Sequence, residues 1–71
     1  MTAINELQLK KILDQDVKFS QSFTLSMFIQ KAKVDYKVNK DLKKALTDVN
    51  AFLAANHQKI HNADKELLKR L

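Results

Sequence analysis

His57 and His61 stand four residues apart, and Asp64 follows three later. On a continuous helix that spacing puts two imidazoles and a carboxylate on one face, where they could hold a divalent metal ion. Such a set also arises easily by chance, and solvated histidines near a helix end account for it without a ligand. Neither a metal nor any other cofactor is expected. Ser20, Ser22 and Ser26 could act as nucleophiles with His57 or His61 as base. The chain contains no Gly, however, so it has no glycine-based nucleophile elbow, and nothing marks an oxyanion hole. These serines read as capping and connecting residues. Asp14 and Asp16, two apart, would point in different directions on a helix and make no acid-base dyad. The chain is expected not to be an enzyme.

A second chemistry-bearing set is cationic. Twelve Lys and one Arg give a formal net charge of +5, and the surplus is not evenly spread. Residues 1–17 carry −1, residues 18–44 carry +5 and residues 45–71 carry +1. Lys31, Lys33, Lys37, Lys40, Lys43 and Lys44 could together attract phosphates or an acidic partner. The plainer alternative is a solvated lysine surface, since a helix needs a polar face and Lys is a good helix former. A helix-turn-helix can be laid over the same region, with Leu25 to Ala32 as first helix, Val34 at the turn and Leu42 on a helix that could enter a major groove. The fit is poor: the turn lacks Gly, Asn39 falls where an apolar residue would be welcome, and no Arg is available there for bidentate contact to guanine. Asn39 could read adenine, but a capping role suits it better.

The elements that would carry these residues follow from composition. Seventy-one residues make one domain, 1–71, with neither Gly nor Pro nor Cys. Tight hairpins and phosphate-binding loops want Gly, whereas helices joined by polar connections do not. The expected fold is all-α, a small bundle of three or four helices. The start, Met1 to Glu6, lacks a basic stretch followed by an apolar one, so no secretory signal is expected and the default location is cytoplasmic. The longest apolar run, Ala51 to Ala55, is far short of the roughly 20 residues a membrane span requires.

The first helix is expected from Thr2, as N-cap, to about Gln15, with Ile4, Leu7, Leu9, Ile12 and Leu13 apolar. Residues 16–22 lose the helical period and read as a connection. Val17, Phe19, Gln21, Phe23, Leu25 and Met27 also alternate, so a short strand is the competing reading. A second helix, capped by Ser22 or Thr24, is expected to run to about Lys33. The β-branched, alternating stretch from Val34 to Val38 is read as leading into a turn near Asp35 to Asn39, with Asn39 as N-cap of the next helix. The third helix is the clearest: Leu42, Ala45, Leu46, Val49, Phe52 and Leu53 share one face, with Lys40, Lys43, Lys44 and Thr47 opposite. Beyond it, Asn62 could cap a last helix carrying Leu67, Leu68 and Leu71. Alternatively the helix continues, because Leu46, Leu53, Ile60 and Leu67 fall seven apart, with Leu42, Val49, Asn56 and Ala63 between them. That is the outline of a self-association seam, in which Asn56 would set register.

The expected core is Leu7, Ile12, Phe28, Ile29, Leu42, Leu46, Val49, Phe52, Leu53 and Leu67. A chain this small gains stability from a partner and offers little room for a substrate pocket. The leading expectation is therefore a non-enzymatic protein-interaction or regulatory module acting through a helical surface, with a protein partner or a second copy. The alternative is a small basic nucleic-acid-binding regulator using the Lys31 to Lys44 patch, whose affinity would fall steeply with salt. Membrane-surface binding is not expected, because the third helix needs its apolar face for the core.

Overall fold

A computed structural model describes residues 3–15, 17–19 and 23–71, Phe23 by its backbone alone. Within them the chain forms four α-helices and no strand: α1 (Glu6–Asp14), α2 (Phe23–Asn39), α3 (Leu42–Ala55) and α4 (Asn62–Arg70). The alternating stretch after α1 is not a strand where it is described, at residues 17–19.

α1 begins where side chains first satisfy its free N–H groups. Asn5 is the N-cap: its Oδ1 accepts from the Gln8 N–H at 2.9 Å, and Gln8 Oε1 accepts from the Asn5 N–H at 2.9 Å, a reciprocal capping box. Ile4 precedes the cap and Leu9 lies one turn in, both buried, at the two positions of a hydrophobic staple. This start corrects the expected cap, since Thr2 lies outside the described residues and the helix opens at Glu6. With that phase Leu9 and Ile12 face inward and Leu7 is 63% exposed, so Leu7 does not belong to the core.

α2 runs straight through the expected turn. Val34 and Val38 are exposed, and β-branched residues there cost the helix only tenths of a kcal/mol each, about what later hydrogen bonds return. The helix stops at Lys40, whose φ of 56° is left-handed and whose N–H donates to the Tyr36 carbonyl at 2.8 Å. This is the αL stop usually made by Gly. Thr24 sits inside the helix and is no cap, Ser22 lies outside the described residues, and Asn39 ends α2 instead of starting α3.

The N-cap of α3 is Asp41, which accepts from the Lys44 N–H at 3.0 Å. α3 closes at Asn56, whose backbone N–H and side-chain Nδ2 both donate to the Phe52 carbonyl, each at 3.0 Å. A short 3-10 turn over His57–Lys59 follows. α4 then starts at Asn62, with His61 as its N-cap residue, so Asn62 is the first helical residue and not the cap. The last third is thus two helices, and the continuous helix is excluded.

The buried apolar residues are Ile4, Leu9, Ile12, Phe19, Leu25, Ile29, Val49, Leu53, Ile60 and Leu68, forming one cluster drawn from the segment before α1, all four helices and two connections. Phe28, Leu42, Leu46, Phe52 and Leu67 pack against it half-buried. α1, α2 and α3 pack on one another, and α1 also reaches α4: Gln8 Nε2 donates to the Leu68 carbonyl at 3.1 Å and Lys11 Nζ to the Leu71 carbonyl at 2.7 Å. No helix is long and apolar enough to cross a membrane among the described residues.

Candidate functional site

α2 and α3 are joined by only Lys40 and Asp41, so the chain doubles back and residues equally far from the bend come together. Phe28 and Phe52, twelve residues to either side of Lys40, stack with ring centroids 4.2 Å apart and planes inclined by 11°. Between the two helices lies an open groove of about 590 Å³. Phe28, Phe52, Tyr36, Ala32, Ala45, Ala51 and Ala55 give it apolar surface, and Lys31, Lys44, Asp35, Asp41, Asp48, Asn39 and Asn56 give it polar surface. Small side chains make the opening. Where α3 carries Ala at 45, 51 and 55, a larger residue would fill the space between the helices.

The electrostatics of this groove differ from the lysine patch read in the sequence. Lys44 Nζ meets Asp48 Oδ2 at 3.0 Å. That hydrogen bond and the charge of Asp48, aided by Asp35 and Asp41, hold the Lys44 ammonium above the ordinary lysine range. Both side chains are more than half exposed, so water screens the pair. Two Lys and three Asp line the groove, and it is not a cationic channel. Of the other lysines, Lys33 Nζ turns back toward the Gln15 carbonyl at the end of α1, 3.5 Å away. Lys40 Nζ lies 6.0 Å from the centre of the Tyr36 ring, at the outer limit of a cation–π contact. Lys31, Lys37 and Lys43 are exposed. The six lysines therefore divide between the groove rim, the α1 side and the bend. The helix-turn-helix reading fails in detail, because its turn at Val34 lies inside α2.

The sequence reading missed Asp48, which falls just beyond the lysine-rich window but one helical turn from Lys44. Its signal was available as the stripe Lys44, Asp48, Ala51 and Ala55, at spacings of four, three and four along α3. That stripe is a second helical face, charged at its first two positions and small at its last two, and it lines one wall of the groove.

The remaining candidates are dispersed. No three His, Asp or Glu side chains converge as a metal site among the described residues. His57 and His61 are exposed. Asp64 is 2% exposed in the first turn of α4, with Oδ2 lacking a hydrogen-bond partner. The positive end of the helix dipole at that position offsets part of the cost of burying it. Ser26 is half-buried on α2, while Ser20 and Ser22 lie outside the described residues. Of the proposed seam, Leu53 and Ile60 are buried in the chain's own core and Leu46 and Leu67 pack against it, with the helix interrupted between Leu53 and Leu67. Leu68 is buried and Leu71 packs on the core, so the last helix displays no leucine patch. No protein-family model matches the chain, and no match is found among the curated proteins or the solved structures.

Proposed function

We propose that the chain is a small non-enzymatic interaction module that receives an apolar side chain of a protein partner in the groove between α2 and α3. The observation that carries the reading is the open groove over the Phe28–Phe52 stack. Concave apolar surface with a few polar groups at the rim is the usual form of a recognition site. The mixed rim of Lys31, Lys44, Asp35, Asp41 and Asp48 supplies orientation. Among the described residues no Ser, Thr, Cys or His lines the groove.

The test is photo-crosslinking in extract of the native cell, with a benzophenone amino acid at exposed Ala55 beside the groove and, separately, at Leu7. Protein adducts expected at Ala55 are competed by unlabelled chain and lost when Ala51→Trp fills the groove. Adducts that are equal at the two positions, or absent from Ala55, overturn the reading.

A second reading is favoured by Lys37, Lys40 and Lys43, exposed around the α2–α3 bend. A nucleic acid bound there would make lysine-phosphate contacts without base-specific arginine forks. It predicts duplex binding that disappears as salt is raised and that weakens with Lys40→Glu or Lys43→Glu. Salt-insensitive or absent duplex binding removes it.

A further inference from the structure

α2 is apolar on two opposite sides, and the fold uses only one. Leu25 and Ile29 are 0% and 2% exposed, whereas Met27, Val34 and Val38 are 59%, 62% and 76% exposed. At about 100° per residue, Met27, Lys31, Val34 and Val38 share a sector of roughly 60° on the far side from Leu25 and Ile29. Lys37 borders this stripe, and the only carboxylate of α2, Asp35, lies in the groove on its other flank. The stripe is thus an apolar ridge bordered by Lys37 on one side and by Lys31, with Asp35 beyond it, on the other.

We infer that this outer face of α2 docks an acidic amphipathic helix from a different protein, whose apolar residues pack on Met27, Val34 and Val38 and whose carboxylates meet Lys31 and Lys37. Charge decides the occupant. A second copy would bring another cationic stripe and another net charge of +5 against the first, which like-charge repulsion opposes. Phosphates would have to lie across an apolar ridge. Among the described apolar side chains of the stripe, a lipid surface would find only the mid-sized Met27, Val34 and Val38, with no aromatic residue or Leu as an anchor. An acidic helix satisfies both parts of the stripe, with apolar positions at helical spacing and carboxylates at the flanks. The surface is small, so the complex is weak and its encounter is steered by charge. It is a second surface that adjoins the groove and shares Lys31 with its rim.

The experiment titrates the ¹⁵N-labelled protein with two synthetic three-heptad peptides that have the same leucine face, one flanked by Glu and the other by Lys. The Glu peptide is expected to shift the amides around Met27, Val34 and Val38 and to bind about tenfold or more tightly than its Lys twin, with an affinity that falls as salt is added. Val34→Glu should abolish the shifts, and the pair Lys31→Glu with Lys37→Glu should invert the preference. All these positions are exposed, and circular dichroism checks the fold of each variant. Four results overturn the inference: equal binding of the two peptides, no binding of the Glu peptide, shifts confined to the groove around Ala51 and Phe52, or association with anionic vesicles but not with the Glu peptide. Shifts confined to the groove would leave the groove reading standing, so the two fail separately.

Discussion

The side chain of Asn50 takes both backbone polar groups of Ile4, accepting from its N–H at 2.8 Å and donating to its carbonyl at 3.0 Å. It does for an isolated residue what a neighbouring strand would do, and it pins the entrance of α1 to α3. Asn50→Ala leaves both groups without that partner and is expected to cost about 1–3 kcal/mol in urea unfolding. Asn50→Asp keeps the acceptor but sets a carboxylate oxygen against the Ile4 carbonyl. Relative to wild type, that variant should recover stability as pH falls and the new carboxyl becomes a donor.

The stacked pair Phe28 and Phe52 should behave as one unit. Each ring is half-buried, so Phe52→Ala is expected to cost less than the roughly 3–5 kcal/mol typical of a fully buried ring. A double-mutant cycle with Phe28→Ala should give a coupling of about 0.5–1.5 kcal/mol, the part that belongs to the stack. A coupling near zero would mean that the rings only share a wall.

Lys40 holds a left-handed backbone with a Cβ that disfavours it. Lys40→Gly should stabilise the protein by up to about 1 kcal/mol, Lys40→Asn by less, and Lys40→Val should destabilise it. Thermal unfolding of the three variants orders them.

The two sides of α2 should respond oppositely to truncation. Leu25→Ala, at a fully buried site, is expected to cost about 2–5 kcal/mol. Val38→Ser, on the exposed stripe, should stay within about 0.5 kcal/mol of wild type. Comparable losses at the two sites would show that the outer stripe is covered in solution.

Lys44 titrates above its ordinary range because Asp48 hydrogen-bonds it and attracts its charge. The folded value is raised over the unfolded one, so the contribution is fully present below the unfolded value and is lost as pH rises through the folded value. Asp48→Asn should return the Lys44 ammonium toward its ordinary titration, followed by side-chain NMR. It should leave neutral-pH stability almost unchanged, as suits a solvated pair.

The sequence made α3 and the all-helical architecture plain, and it hid the path of α2. Six apolar positions at helical spacing, with lysines opposite, determine α3 without tertiary information. The run Val34-Asp35-Tyr36-Lys37-Val38 alternates and is β-branched, which reads as a break. A helix already several turns long nevertheless extends through such residues at small cost. Its true end was invisible because Lys40 stands where a Gly would announce it. Phe19 and Ile60 were missed as core because they sit in connections, where periodicity says nothing, and Leu68 was passed over for its neighbour Leu67 because the start of α4 sets the phase. The groove depends on two helices meeting across the bend, and on Asp48 facing Lys44. Tallying charge along the chain separated those two residues, while the helical turn unites them.

α1 is only nine residues long, yet it packs on α2 and α3 and donates side-chain hydrogen bonds to carbonyls at the end of α4. Those bonds join residues sixty positions apart, so opening α1 breaks its hydrogen bonds to the end of α4. No fragment lacking α1 retains the common partner of the remaining helices. Hydrogen exchange in α1 and α4 should accordingly proceed through one shared opening, and a circular permutant that links the two ends should keep the fold.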